Sequence, residues 1–307
     1  MRLRLITAAG VLATAALTAI TMFAADPGLL SLAMPDARAM AGINVEQVRL
    51  SPFGQYLMAE IAEREAGLQT MIDTTGFDPR RDLHEILLAS PGGAGGKSGL
   101  VAARGTFDVA RIVEAALSQG QTAETYKGVE ILGDPAKGSL AFLDGTLAIA
   151  GDDVDVRAAI DRRSATVGIG ADLAAQVNQL STTEDAWFVT LVPPARLQEV
   201  GATLNKVQQA SGGVKFGTNV VLTAQTVSQT DKDATALAET LKMLAGMAQI
   251  SAPKGLAASG AALLQNLSIA AAGQVTTLSL SVPEQQIEQI IKASHGGGPI
   301  GFSIGVQ

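Results

Sequence analysis

The sequence has no cysteine, and this absence excludes several kinds of chemistry. No disulfide, thiol nucleophile or thiolate metal site can form. Histidine is almost as scarce: His84 and His295 are far apart in sequence, and neither has a second histidine four residues away to complete a helical metal pair. The sequence therefore predicts no metal, no cofactor-binding residue and no catalytic residue, and we expect a protein that is not an enzyme.

Positive charge and aromatic side chains are also in short supply. The chain carries 22 Lys and Arg against 29 Asp and Glu, a net charge of -7, and 4% of its residues are aromatic. Nucleic-acid binding needs clustered cations for the phosphates and, for single strands, aromatic rings for the bases. Nucleic acid is therefore not expected as a partner.

Apolar residues are abundant instead. Of the 307 residues, 47% are hydrophobic and 17% are charged, a balance that supplies a large core and argues against intrinsic disorder. A chain of this length is expected to fold as one large domain or two smaller ones.

The apolar residues are most concentrated at the N-terminus. Arg2 and Arg4 open a run from Leu5 to Ala25 that contains no charged residue. A basic start followed by an apolar run is typical of a secretory signal peptide. The run is also long enough to remain in a bilayer, which takes about 20 apolar residues. Residues 1–25 are therefore predicted to be a signal peptide or a membrane anchor and the only membrane contact. The rest of the chain is then exported to the periplasm, free or anchored.

Hydrophobic periodicity divides the first half into strands and helices. Ser51 and Pro52 begin a helix, as N-cap and first helical residue, and Gly76 ends it. Asp144-Gly145 lies between two apolar runs and predicts a hairpin with a type I′ turn, in which both residues have positive φ. The predicted strands are 37–44, 83–90, 100–104, 126–132, 139–143 and 146–150, and two further helices cover 106–117 and 153–162.

The second half repeats this order. A helix is predicted from Pro193-Pro194 to about Gln209, and another from about residue 231 with Leu237, Leu241, Leu244 and Ala248 on one stripe. Ser281 to Glu284 has the pattern of a capping box and begins the last helix. The predicted strands are 186–192, 218–227, 267–271 and 275–280.

The two halves therefore look like related modules. Gly145 precedes the helix cap at Asp153 by eight residues, and Gly273 precedes the predicted cap at Ser281 by the same number. We predict an α+β fold of two modules, 37–163 and 184–292, joined by 164–183 and followed by a glycine-rich tail at 293–307. Hairpins favour mainly antiparallel sheets with helices on one face. The alternative is chance alternation, which any chain of helices and strands can show.

Two motifs resemble ligand sites but have simpler explanations. Ser90 to Ser98 ends in Gly-Lys-Ser like a phosphate-binding loop, but Pro91 occupies the place of the first glycine, and a strand is predicted to follow where a helix is needed. Asp152, Asp153 and Asp155 resemble calcium ligands, yet the glycine of a calcium loop is missing, and helix capping explains these acids.

Three residues are candidates for an interaction site. Arg80 and Arg81 form an arginine pair that suits an anionic partner, with a salt-bridged turn involving Asp78 and Asp82 as the alternative. Trp187 begins a strand together with Phe188. Core packing is the main expectation for both, but consecutive strand residues face opposite ways, so one of the two is free to line a groove.

The segments SPFGQYL at 51–57 and GFDPRRDL at 76–83, together with Phe142 to Gly145, resemble exported proteins of unknown function from soil bacteria of the acidobacterial type. The resemblance covers roughly the first half of the chain. It implies bacterial export and favours a non-catalytic role, and it brings no activity, ligand or catalytic residue with it.

Together these patterns favour a non-enzymatic cell-envelope protein that binds an apolar ligand or an envelope protein partner. Two alternatives stay open: a hydrolase whose carboxylates pair only in the fold, and a membrane-tethered structural protein. An apolar pocket would favour the first function, two facing carboxylates in a cleft the second, and filled modules the third.

Overall fold

Strands and helices alternate along the chain, and all the strands described join one sheet. The computed structural model describes residues 25–64, 66–92, 99–134, 138–163, 168–191, 206–251 and 266–295. The strands are β1 Ala39–Asn44, β2 Leu83–Ser90, β3 Leu100–Gly105, β4 Ala123–Tyr126, β5 Val129–Asp134, β6 Gly138–Asp144, β7 Leu147–Gly151, β8 Ala186–Thr190, β9 Val207–Lys215, β10 Asn219–Ser228, β11 Leu267–Ala272 and β12 Val275–Pro283. The helices are α1 Pro27–Leu30, α2 Val45–Leu50, α3 Pro52–Arg64, α4 Ala66–Thr75, α5 Pro79–Asp82, α6 Val109–Ser118, α7 Asp153–Arg162, α8 Ala171–Thr183, α9 Asp231–Ser251 and α10 Glu284–His295.

The sheet has the order β11-β12-β10-β9-β8-β1-β2-β3-β7-β6-β5-β4, and every neighbouring pair is antiparallel. The predicted α+β class with a mainly antiparallel sheet is therefore confirmed. The strands of both predicted modules belong to this single sheet, because β1 pairs with β8 at its centre.

One face of the sheet, which we call the core face, carries the main hydrophobic core. Its strands contribute residues such as Leu87, Leu100, Ile149 and Val189, all buried. Three elements cover these residues: the segment that contains α1, helix α7 and helix α8. The covering side chains include Leu29, Leu32, Val156, Ala159, Ile160, Leu173 and Val177.

Helices lie on both faces of the sheet, so the prediction of helices on one face is wrong. While α7 and α8 cover the core face, α9 packs on the opposite face, where Thr276 of β12 donates its hydroxyl hydrogen bond to the carbonyl of Ala234 at 3.0 Å. The physical reason lies in the strands, which carry apolar residues at both odd and even positions near the sheet centre and so have two faces to cover.

Several predicted boundaries agree with the structure. Ser51 accepts a hydrogen bond from the amide of Gly54 at 2.9 Å, as an N-cap does, and α3 begins at Pro52. Gly76 follows α4 with a φ of 73°, the left-handed conformation that ends many helices. β2 has the predicted bounds.

The turn with two residues of positive φ was predicted between β6 and β7, but it lies between β4 and β5. β6 and β7 do form a hairpin, but neither Asp144 nor Gly145 has positive φ. The Asp144 carboxylate instead accepts hydrogen bonds from the amide and hydroxyl of Thr146 at 2.8 and 2.7 Å, which holds the turn without left-handed backbone. Lys127 and Gly128, with φ of 50° and 81°, make the turn of positive φ between β4 and β5, a segment predicted as one strand.

Three elements of the second half also differ from prediction. The helix predicted from Pro193-Pro194 was expected to end at about Gln209, but β9 begins at Val207. The Gln, Ser and Gly residues of β9 are weak strand formers, and they owe their conformation to pairing with β8 and β10. Helix α8 lies within the predicted connector 164–183. Ser281 pairs with Val221 inside β12 and caps no helix, so the equal spacing of eight residues does not hold.

The segment before β1 is tied to the core face by charged contacts. Asp26 accepts hydrogen bonds from the guanidinium of Arg104 at 2.9 and 3.0 Å. The Asp26 amide donates to the carboxylate of Glu85 at 3.1 Å. Burial raises the pKa of Glu85 to about 6. The hydrogen bond from the Asp26 amide and the charge of Arg104 oppose this rise, whereas the charges of Asp26 and Glu46 add to it. Asp26 thus fixes the segment before β1 to the core face.

The close approach of β1 and β8 makes a first prediction. Gly42 pairs with Trp187, and a Cβ at position 42 would lie 2.5 Å from two carbons of the indole ring. Gly42→Ala is expected to lower the free energy of unfolding by about 1–3 kcal/mol, as overpacking of a core does. Gly67→Ala, with open space around its Cβ in α4, is the control and should be neutral or slightly stabilising. Urea unfolding followed by Trp187 fluorescence measures both; equal stability of Gly42→Ala and wild type would contradict this packing.

Glu85 makes a second prediction. Folding raises its pKa from 4.5 to about 6, so the folded state binds the proton more tightly and the wild type loses stability as the pH rises through this range. Glu85→Gln keeps an oxygen for the Asp26 amide and carries no charge. It should therefore melt at a higher temperature than the wild type at pH 7 and at the same temperature at pH 4. A variant that melts lower at pH 7 would show that the charged carboxylate stabilises the fold.

Candidate functional site

The face opposite the core face is apolar and open near the centre of the sheet. Five large apolar side chains on it are 36% to 42% exposed: Ile43, Leu88, Val101, Phe188 and Leu222. Soluble proteins seldom expose a contiguous apolar surface of this kind unless something binds there. We call this surface the groove face.

Strand register explains why these residues share a face. Ala41 of β1 pairs with Leu88 of β2 on one side and with Phe188 of β8 on the other. The three side chains therefore form one row across the centre of the sheet, with a small residue between two large ones. Their sequence neighbours Leu87 and Trp187 point to the core face because side chains alternate along a strand.

Two adjoining grooves lie on this face. The first, of about 860 Å³, runs over β1, β2, β3 and β7 toward α6, whose Ile112 and Ala116 line it. The second, of about 510 Å³, runs over β8, β9, β10 and β12 and is lined by residues such as Leu222 and Leu280. Ala41, Leu88 and Phe188 line both, so the two grooves join at the row in the centre.

Helix α6 is held firmly as one wall of the first groove. The guanidinium of Arg111 donates to the carbonyls of Asp73 and Thr74 at 2.8 and 3.2 Å, which joins α6 to the end of α4. Just before the helix, the Phe107 ring lies 5.4 Å from that of Phe77 and 5.3 Å from that of Phe142 on β6. Aromatic contacts at such distances add to the apolar packing and fix the wall to the sheet.

Helix α9 covers the far end of the groove face. Ala234, Leu237 and Ala238 in its first half are buried against the sheet, whereas Leu244, predicted on the same apolar stripe, is 48% exposed. The stripe therefore packs only over its N-terminal part. The centre of the face between α6 and α9 stays uncovered by the helices described.

The lining of the two grooves has almost no charge. Asp152 is the one ionisable side chain among the described lining residues, and it sits at the end of the first groove with Ser90, Gln121, Ser139 and Thr190. A lone carboxylate supplies no acid–base pair. Within the described ranges there is also no cluster of three His, Cys, Asp or Glu residues able to hold a metal ion. The arrangement suits an apolar ligand with a small polar end.

The predicted arginine pair lies away from the groove lining. Arg80 donates to the Asp78 carboxylate at 2.9 and 2.8 Å, and Arg81 to that of Asp82 at 2.7 and 2.8 Å. These hydrogen bonds lower the pKa of both carboxyl groups. Both guanidinium groups therefore take part in the salt-bridged turn that was the alternative to an anion site.

Trp187 and Phe188 separate as strand alternation requires. The Trp187 side chain is 6% exposed and packs on the core face, and Phe188 lines both grooves. Strand alternation left one of the two residues free to line a groove. Trp187 was the candidate for the interaction site, whereas the residue that lines both grooves is Phe188. Leu88 was missed, because only the pairing of β1 with β2 brings it beside Phe188.

The remaining motifs form no ligand site within the ranges that the structure describes. β3 follows the loop after β2 as an antiparallel strand, so the Gly-Lys-Ser sequence is not followed by a helix; residues 93–98 lie outside the described ranges. The Asp153 carboxylate accepts hydrogen bonds from the Ser139 hydroxyl at 3.0 Å and from the Arg157 guanidinium at 2.7 Å. The Asp155 carboxylate accepts one from the Gly99 amide at 3.1 Å. The tail 296–307, which includes a Gly-x-Ser-x-Gly spacing at 301–305 that the sequence predictions did not use, also lies outside the described ranges.

The N-terminal segment is not part of the structure described, which starts at Ala25. None of the described helices has both the length and the hydropathy to span a membrane. The choice between signal peptide and anchor stays a prediction.

Known proteins provide a fold comparison only. No protein family and no curated protein matches the sequence, so the resemblance to acidobacterial exported proteins also stays a prediction. Among solved structures, crystal form I of TP0453 is similar at 9% identity and a TM-score of 0.51, over 88% of this chain and 98% of that one. Crystal form III of the same protein has 9% identity and a TM-score of 0.53, over 86% of this chain and 97% of that one. Crystal form IV has 8% identity and a TM-score of 0.52, over 85% of this chain and 95% of that one. At such low identity the likeness concerns the fold and not the function.

The two faces of β2 make a third prediction. Leu87 is 1% exposed in the core and its neighbour Leu88 is 41% exposed in the groove. Leu87→Asn should lower the free energy of unfolding by about 3 kcal/mol or more, because it leaves a cavity and a buried amide. Leu88→Asn should cost about 1 kcal/mol or less, as substitutions away from a core do. Chemical denaturation of the pair measures both, and similar large losses would mean that the groove face is packed.

Proposed function

We propose that this protein is an exported, non-enzymatic component of the bacterial cell envelope that binds the acyl chains of a lipid on its groove face. The observation that carries the proposal is the row Leu88, Ala41, Phe188, where two partly exposed apolar side chains flank a small one at the junction of two apolar grooves.

The shape of the floor favours a slender apolar ligand. Between the large side chains the floor consists of small residues, among them Ala39, Ala41, Ala150, Ala186 and Ala224. A floor of methyl groups offers close contact to an extended hydrocarbon chain over its whole length. Each methylene group removed from water contributes about 0.8 kcal/mol, so a long chain gains affinity without polar contacts.

The length of the groove also supports this ligand. Its lining residues come from eleven neighbouring strands, from β5 to β11 in sheet order. At about 4.8 Å between neighbouring strands, this gives a path of roughly 48 Å measured across the sheet. The volumes of about 860 and 510 Å³ fall within the usual range of ligand pockets. The two grooves offer room for more than one chain.

A hydrolase is the less favoured alternative. Such an enzyme needs two carboxylates on either side of the substrate, or a nucleophile next to a base. Asp152 stands alone among the described lining residues of the grooves, whereas Asp78, Asp82, Asp153 and Asp161 bond to arginine or lysine. These pairings support a binding role.

The two-module hypothesis fits the position of the groove. In sheet order the first half gives β1-β2-β3-β7-β6-β5-β4 and the second half β8-β9-β10-β12-β11. In each half the third strand pairs with the second strand of a later hairpin, β6-β7 or β11-β12, and the first half adds β5 and β4 at its edge. This parallel supports two related modules. In that arrangement β1 and β8 are the joining strands, and the groove is centred where the modules meet.

Export is the remaining element of the proposal. It is supported by Arg2 and Arg4 before the uncharged run from Leu5 to Ala25. Location in the envelope would place the groove near lipid. Whether the first segment is cleaved or retained decides only how far the groove is from the membrane.

Filling the groove tests the proposal. Ala41→Trp places an indole in the centre of the groove and is expected to weaken binding of a fluorescent long-chain fatty acid at least tenfold. Ala175→Trp, the same substitution at an exposed position of α8, should bind as the wild type does. Competition with an unlabelled diacyl phospholipid and with an unlabelled fatty acid distinguishes a two-chain from a one-chain lipid. Equal binding by all three proteins, or none by the wild type, would contradict the proposal.

Native mass spectrometry of the full-length protein recovered from the envelope is the companion measurement. A bound species of lipid mass in the wild type, absent from Ala41→Trp, is the expected result. The polypeptide mass in the same spectrum shows whether the first segment has been removed. Bare polypeptide in every preparation would argue against a resident lipid.

A further inference from the structure

The core-face side of the second half carries an uncharged polar surface. Gln209 and Ser211 of β9, Thr223 and Gln225 of β10, and Thr277 and Ser279 of β12 lie side by side, because Ser211 pairs with Gln225, Gln225 with Thr277 and Thr223 with Ser279. Surfaces that serve only solubility are usually rich in Lys, Arg, Glu and Asp. Amides and hydroxyls without charge indicate a surface suited to neutral hydrogen-bonding ligands.

Helix α8 turns part of this surface into a pocket. The cavity has a volume of about 280 Å³ and lies between α8 and strands β9 and β10. Gln176 and Gln179 enter it from the helix, and the Nε2 group of Gln209 donates to the Oε1 atom of Gln176 at 2.6 Å across it. Leu180 supplies one apolar contact. None of the described residues that line this pocket is charged.

The carboxylate of Glu184 sets the role of one hydroxyl in the pocket lining. Oε1 of Glu184 accepts from the hydroxyl of Thr223, a lining residue, at 3.3 Å. Because the Thr223 hydroxyl gives its proton to Glu184, its oxygen is left to act as an acceptor. The arrangement therefore favours a ligand that brings hydroxyl or amide hydrogens.

We infer that this pocket binds one unit of a neutral saccharide. A glutamine amide presents a donor and an acceptor side by side, and a sugar hydroxyl is both donor and acceptor, so each amide can engage two neighbouring hydroxyls. The four glutamines Gln176, Gln179, Gln209 and Gln225 converge on a space large enough for a single ring. Leu180 offers the apolar contact that the C–H face of a ring needs. Phosphate and carboxylate ligands find no cation among the described lining residues.

The site is independent of the groove. It opens on the opposite side of the sheet, and among the described lining residues it shares only Thr223, with the second groove. The four glutamines line neither groove. Loss of saccharide binding would leave the lipid proposal untouched, and the reverse also holds. Both sites together would equip the protein to contact lipid on one face and glycan on the other.

The test uses two adjacent glutamines of β9, Gln209 in the pocket lining and Gln208 outside it. Full-length protein is titrated with chitotetraose and with maltotetraose, and binding is followed by saturation-transfer NMR and calorimetry. Gln209→Ala is expected to weaken binding of the preferred saccharide at least tenfold, because it removes a donor and an acceptor from the pocket. Gln208→Ala, at an exposed position that does not line the pocket, should bind as the wild type does. Gln176→Ala, in the helix, repeats the test with a substitution that does not touch the sheet.

Thermal melting of each variant shows whether a loss of binding comes from a loss of fold. No binding of either saccharide at millimolar concentration by the folded wild type would overturn the inference. Equal weakening by Gln208→Ala and Gln209→Ala would also overturn it. A neutral peptide such as trialanine that binds in competition at the pocket while both saccharides fail would assign the site to peptide and exclude the saccharide class.

Discussion

The antiparallel pairing of β1 with β8 is the interaction on which the rest of the structure depends. It joins the two halves of the chain into one sheet and sets which residues face each side. With Gly42 opposite Trp187, the indole closes the core face, and the next residue along, Phe188, is forced to the groove face. A shift of one residue in this register would reverse both assignments, because side chains alternate with a period of two.

The central strands carry apolar residues on both faces, and the two faces are covered differently. The core face is closed by the segment around α1, α7 and α8, whereas the groove face is covered by α6 and α9 near its ends. An apolar surface left in the middle of a sheet reduces solubility unless it has a partner. The unequal covering is therefore the physical basis of the binding function that we propose, in which the small residues on the floor determine the shape of what fits.

Sequence patterns predicted the local elements well where the signals were strong. An N-cap serine followed by proline located α3, and a short apolar run located β2. β9 was missed because Gln, Ser and Gly in Val207–Lys215 have little intrinsic preference for a strand and depend on neighbours on both sides. The turn at Asp144-Gly145 was predicted wrongly because the Asp144 side chain, through its hydrogen bonds to Thr146, stabilises a different backbone conformation.

The groove could not be predicted from the sequence, since Leu88 and Phe188 are 100 residues apart and are brought together only by pairing with Ala41. For Arg80 and Arg81 the sequence left two interpretations open; the structure shows the salt bridges to Asp78 and Asp82, and an anionic partner stays a prediction.

The most direct test of the central claim is to map where an acyl chain binds. A fatty acid with a photoreactive diazirine in its chain would be incubated with the full-length protein, activated by light and located by mass spectrometry of the peptides. We predict labels on β1, β2 and β8, centred on Ala41, Leu88 and Phe188. Labels confined to the exposed residues Met243 and Met247 of α9, or scattered over the surface without preference, would contradict a lipid site in the groove.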